Sequence, residues 1–157
     1  MGRAAATVRV PGRVSDAEAL WYDPVRWAAW VDGFGHVVEL GGTWPAAGSR
    51  LVWDAPPGGR GRVIERVVAY EPRTGQELEV EDERLRGRRR VSFAPADDGV
   101  EIGLSLEYEL KARHALTWAV DLVSVRPGQA ASLRRTVARF AREREADLEW
   151  EAEPKRS

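Results

Sequence analysis

The sequence predicts an α+β fold: one antiparallel sheet of seven strands, two short helices after the first strand, and a long helix near the C-terminal end. Three observations predict it. Residues 36–110 run as short β-rich segments at a spacing of roughly 8–14 residues, punctuated by Gly, Pro and Asp, with no helix between them to allow parallel crossovers. Residues 129–150, QAASLRRTVARFAREREADLEW, switch to a helical period, with Ala130, Leu133, Val137, Phe140, Ala141 and Leu148 on one face. Between the first strand and the rest, VSDAEALWYDPVRWAAWVDGF (14–34) carries two helix starts and the three tryptophans Trp21, Trp27 and Trp30.

Each element has a local cause. TVRVPGR (7–13) alternates as a strand and closes on Pro-Gly. Ser15 and Glu18 have the S-x-x-E spacing of a capping box, which opens a helix of about two turns. Asp23-Pro24 restarts the chain, Asp as N-cap and Pro at the first helical position, ahead of PVRWAAWV. Strands follow at 36–40, 49–55, 61–71, 76–85, 88–94 and 100–110, with a turn expected at Arg86-Gly87 and another at Asp97-Asp98-Gly99. ALTWAVDLV (115–123) reads as a short helix or a crossover before the long helix.

Composition excludes several classes. With 157 residues, 43% apolar and 31% charged, one globular domain over residues 1–150 is expected, followed by a disordered tail at 151–157. A net charge of −1 gives no bulk attraction to nucleic acid or anionic lipid. The absence of cysteine removes disulfides, thiolate metal sites and cysteine nucleophiles. MGRAAATVRVPGRV lacks the apolar core of a signal peptide, and no apolar run is long enough to span a bilayer. A cytoplasmic protein, monomer or homodimer, without stable membrane insertion is expected.

Strand parity sorts the side chains. Val100, Ile102, Leu104, Leu106, Tyr108 and Leu110 share one face, opposite Glu101, Glu107 and Glu109. Leu78, Val80, Asp82 and Arg84 oppose Glu77, Glu79, Glu81 and Glu83. Val63, Val67 and Ala69 carry Glu65 with them, and Val91 and Phe93 carry Arg89. The inner face is then aliphatic with a few charges, the make-up of a small-molecule site. A bulge would instead return some of those charges to solvent. Other motifs point to no chemistry. His36 and His114 lack metal-ligand spacing, so no metal is expected. PPGGRGR (56–62) lacks the phosphate-cradle pattern and reads as a hairpin turn. RLRGRRR (84–90) is a conceivable RNA patch, but the adjacent glutamate strands favour cross-strand ion pairing.

The order of elements, with AEALWYDPVRWAAW (17–30), Pro72 and the Asp-Asp-Gly turn, resembles the START-like, Bet v 1-like superfamily. Its bacterial members include polyketide cyclase/dehydrase and lipid-transport proteins. The resemblance implies a helix-grip: the sheet wraps the long helix around an apolar cavity, here expected at a few hundred Å3, the scale of a small-molecule site. Trp21, Trp27 and Trp30 would plug one end, and at least one would face the ligand. The candidate site comprises Trp27, Trp30 and Trp53 at the mouth and third strand, with Leu78, Val80, Phe93, Leu104, Leu106 and Tyr108 on the concave face. Val137 and Phe140 are expected opposite, and Glu65, Asp82, Arg84 or Tyr108 would add orientation. The expected function is binding or carriage of a hydrophobic small molecule, lipid or polyketide-like. A cofactor-free cyclase or dehydratase working by acid–base catalysis is the first alternative. A ribosome- or RNA-associated, toxin-like interaction protein is the second.

Overall fold

A computed structural model describes residues 1–111 and 125–154. The order is β1 (Gly2–Pro11), α1 (Val14–Trp21), a 3-10 turn (Pro24–Arg26), α2 (Trp27–Trp30), β2 (His36–Gly41), β3 (Arg50–Asp54), β4 (Arg62–Glu71), β5 (Gly75–Glu81), β6 (Leu85–Ala96), β7 (Gly99–Leu110) and α3 (Arg126–Ala152). The described strands form one antiparallel sheet ordered β1-β7-β6-β5-β4-β3-β2, so the chain starts at one edge and places its second strand at the other. The segment expected as a short helix or crossover at 115–123, and His114, lie outside the described residues.

The sheet faces follow the predicted parity where the strands are regular. Val100, Ile102, Leu104, Leu106 and Tyr108 are buried along β7, and Leu78 and Val80 along β5. α3 lays Leu133, Val137 and Phe140 against this face, and Phe140 is fully buried. Phe140 meets Trp21 and Trp30 at ring-centroid distances of 5.1 and 5.0 Å, which joins α3 to the helix pair.

Five local expectations are corrected. Ser15 and Glu18 form no capping box: α1 starts after Arg13 without a side-chain cap, and the Glu18 carboxylate turns inward. There it accepts from the backbone N–H of Arg73 (2.6 Å) and from its guanidinium (2.7 Å), supporting a non-glycine residue at φ 66° in the β4–β5 turn. Asp23 does cap, accepting from Val25 N, but the next segment is a 3-10 turn and a single α turn rather than one helix. The β5–β6 turn lies at Asp82–Arg84, not Arg86-Gly87. Gly87 sits inside β6, where a Cβ would collide with the Glu107 carbonyl of β7. A bulge between Val67 and Ala69 turns Ala69 outward and the ring of Tyr70 inward. Finally, Pro127 and Gly128 belong to the first turn of α3, and its last turn takes in Glu151 and Ala152, which the tail had been expected to include.

Candidate functional site

The indole N–H of Trp27 explains one member of the tryptophan concentration, and Trp44 joins it from a later loop. A helix leaves its last carbonyls without intrahelical partners. At the end of α1, Trp27 Nε1 donates to the Trp21 carbonyl and Trp44 Nε1 to the Tyr22 carbonyl, both at 2.8 Å. Trp27 and Trp44 stand edge to face at 5.4 Å, and Trp21 and Trp30 meet at 4.6 Å with their rings tilted by 40°. Trp27 and Trp44 cap the end of α1, and all four rings wall a chamber between the sheet and α3.

The chamber holds about 70 Å3, smaller than the expected few hundred, because Trp21, Trp27, Trp30, Trp44 and Trp53 converge on it. Of the predicted residues, Trp27, Trp30, Trp53, Glu65, Val80, Leu104 and Leu106 line it. Leu78, Phe93, Tyr108, Val137 and Phe140 are buried but lie outside its wall, packed into the core. Asp82 is buried at the neighbouring turn, and Arg84 is exposed there rather than on the inner face, because β5 ends at Glu81.

Two ion pairs reach the chamber. Glu65, with a side chain 1% exposed, holds Oε1 at 2.6 Å from Arg89 Nη1. That contact pairs the charges without hydrogen-bond alignment, so Oε1 is buried with no aligned donor. Trp30 Nε1 is likewise buried without an acceptor among the described residues. The second pair is Arg60–Asp82. Arg60 Nε and Nη2 both donate to Asp82 Oδ2, at 2.9 and 2.7 Å, while Asp82 Oδ1 accepts from the backbone N–H groups of Arg84 and Leu85. Arg60 also lies 5.6 Å from the centroid of the Trp53 ring.

At the wall formed by α2 and α3, Asp32 accepts from Ser132 Oγ, Arg135 and Arg139, and its backbone N–H donates to Thr136 Oγ1. The hydrogen bond from Arg135 holds the Asp32 carboxyl below the ordinary range; partial burial opposes this, and Ser132 adds to it. This latch and Arg60 were not legible as site residues, since an Asp-Gly pair and a glycine-rich turn both read as loop. A second concavity of about 380 Å3 lies beyond Arg60, walled by Gly58, Gly59, Asp82, Arg84, Leu85, Leu110 and the first turns of α3. Among the described residues no carboxylate or histidine cluster could hold a metal, and no helix is long and apolar enough to cross a membrane.

An open antiparallel sheet gripping a long helix, with polar groups set inside an aromatic chamber, defines a START-like, helix-grip protein. The chain belongs to the polyketide cyclase/dehydrase and lipid transport family, whose model matches residues 1–145. No curated protein sequence matches it. Among solved structures it is similar to a protein from Thermus thermophilus, with TM-score 0.76 and 16% identity over 92% of this chain and 98% of that one. A START superfamily protein from Mycobacterium smegmatis aligns with TM-score 0.70 and 16% identity over 93% and 99%. A Thalictrum norcoclaurine synthase point mutant in complex with a transition-state analogue aligns with TM-score 0.67 and 13% identity over 96% of each chain. At these identities the likeness is one of fold. Family and fold together support a ligand-binding or cyclase role in general terms.

Proposed function

We propose that the protein binds and carries a hydrophobic small molecule between its sheet and α3, contacted by the tryptophan wall and oriented by Glu65 and Arg89. One observation carries this reading. The chamber wall includes a buried donor without an acceptor, Trp30 Nε1, and a buried acceptor without an aligned donor, Glu65 Oε1. Leaving such groups unmet costs about 1–3 kcal/mol each. A ligand hydroxyl, able to donate or to accept, is the kind of group that meets either. The test is native mass spectrometry of the purified protein, followed by titration with the neutral fluorophore N-phenyl-1-naphthylamine. Saturable binding, lost when Leu104→Trp fills the chamber, is the expected result. Equal binding by both variants places the dye elsewhere and defeats the reading.

The same pair favours a second reading, a cofactor-independent cyclase or dehydratase. A buried carboxylate without an aligned donor is a competent general base, and the adjacent guanidinium can stabilise a developing enolate. Glu65→Gln separates the two: a carrier keeps its ligand, whereas an enzyme keeps binding and loses about 10²–10⁴-fold in turnover. The RNA-associated reading gains no support, because Arg86, Arg88 and Arg90 face Glu109, Glu77 and Glu79 across neighbouring strands.

A further inference from the structure

The tryptophan chamber and the outer concavity have Arg60 and Gln129 in both their walls. By itself the chamber's 70 Å3 takes only part of an organic ligand, since small-molecule sites span roughly 300–1,000 Å3, so the rest of the carried molecule needs adjoining space. Joined to the outer 380 Å3, the space enters that range. Arg60 stands at the division.

We propose that Arg60 is both the partition and the anchor for an amphipathic anion, a carboxylate or sulfonate head on an aromatic or alicyclic body. The head draws the guanidinium off Asp82, and the apolar body passes into the tryptophan chamber. This deepens the cavity-binding reading and rests on it.

Four features support the assignment. Asp82 does not depend on Arg60 alone: Oδ1 keeps the Arg84 and Leu85 N–H groups, at 2.8 and 3.0 Å, when Oδ2 loses its partner. Arg60 has an unused edge, because Nε and Nη2 serve Asp82 and Nη1 makes no hydrogen bond among the described residues. A planar guanidinium fits the oxygens of a carboxylate or sulfonate. The turn that carries Arg60 is flanked by Gly58 and Gly61 at φ 85° and 76°, which leaves its backbone few steric barriers to rotation. Among the described residues the outer wall holds two guanidiniums, Arg60 and Arg84, against one carboxylate, Asp82, and Arg84 has no carboxylate within 4.0 Å. Glu83 lies against Gly61 and does not line the wall. Once the guanidinium moves, the Trp53 face below it becomes a stacking platform for the ligand body.

The test uses the intact protein and two probes with one aromatic body: 8-anilinonaphthalene-1-sulfonate and the neutral N-phenyl-1-naphthylamine. At low salt the sulfonate is expected to bind about tenfold tighter, through a charge-assisted contact. Arg60→Gln should erase that gap and leave the neutral probe bound; Arg60→Lys should restore part of it. Circular dichroism checks folding, and if Arg60→Gln is unfolded, the exposed Arg84→Gln must still narrow the gap. A native protein that binds both probes equally overturns the anionic head but leaves the cavity reading standing. A gap that persists in Arg60→Gln, or sulfonate binding undiminished in Leu104→Trp, overturns it as well. Failure of the neutral probe to bind the native protein defeats the cavity reading itself.

Discussion

The two faces of the sheet use the same chemistry, arginine against carboxylate, in opposite environments. Outside, charge runs in columns by strand. Arg3 and Arg9 of β1 face Glu107 and Glu101 of β7; Arg86, Arg88 and Arg90 of β6 face Glu109 on one side and Glu77 and Glu79 on the other. Most of these side chains are in water, where such a pair is worth about 0–1 kcal/mol and is screened by salt. Inside, Glu65–Arg89 and Arg60–Asp82 sit among aromatic rings, with carboxylate side chains 1% and 3% exposed. Desolvation makes these pairs poor sources of net stability and makes breaking them expensive. The outer pairs set register and solubility. The inner ones are held at a desolvation cost, which accords with the ligand-orienting role proposed for them.

The largest expected effect tests the apolar background against which the inner pairs stand. Phe140 is fully buried and touches Trp21 and Trp30, so Phe140→Ala should lower unfolding free energy by about 3–5 kcal/mol, measured by denaturant titration. A loss under about 1 kcal/mol, the size of a surface change, would show that α3 does not pack through this face.

Next comes the inner pair. Arg89→Met strands the buried Glu65 carboxylate and should cost about 3 kcal/mol, the lower end for a broken buried pair because Arg89 keeps 24% of its side-chain exposure. Adding Glu65→Leu should recover most of that loss, since a matched apolar pair replaces both charges. The double-mutant cycle reads the coupling directly. If the double variant is no more stable than Arg89→Met, the pair is solvated and the contrast between the faces collapses.

The sequence made the regular parts of this contrast legible. Period-two alternation of glutamate with Leu and Val in β5 and β7 told which face is buried, and the parity of β4 and β6 carried Glu65 and Arg89 to the inner face with their neighbours. What it hid were positions where one residue type serves two purposes. Gly87 reads as a turn but admits the β7 backbone at close range. Glu18 reads as a cap but binds the β4–β5 turn. Val68 carries no composition signal for the bulge that reverses Ala69 and Tyr70. Arg60 lay in a stretch whose glycines announced only a hairpin, and its link to Asp82, 22 residues on, is a tertiary fact. The chamber's size was hidden for a similar reason: parity speaks for Trp53 in β3 alone, and no local pattern tells how closely it meets the four rings from the helices and the β2–β3 loop.

The smallest effect is expected on the outer face, and it tests whether that face is as inert as its exposure implies. Glu77 is the most protected carboxylate there, with a side chain 18% exposed and both Arg88 and Arg90 on it. The Arg90 hydrogen bond holds its carboxyl below the ordinary 4.5; partial desolvation opposes this, and Arg88 adds to it. A depressed carboxylate contributes stability that is fully present above its unfolded-state value and is lost as pH falls through its folded value. Replacing Arg88 and Arg90 together with Gln should therefore lower stability by less than about 1 kcal/mol at pH 7, given the exposure of both arginines. The difference from the native protein should shrink as pH falls below the ordinary 4.5 and through the depressed folded value, where Glu77 takes up its proton in both variants. It should also shrink in about 1 M salt, where the screening length is about 3 Å. Thermal melts across this grid check the sign. A loss of about 3 kcal/mol that survives acid and salt would mean the outer arginines act through packing of their stems. The distinction between a charged scaffold face outside and a costly polar site inside would then have to be redrawn.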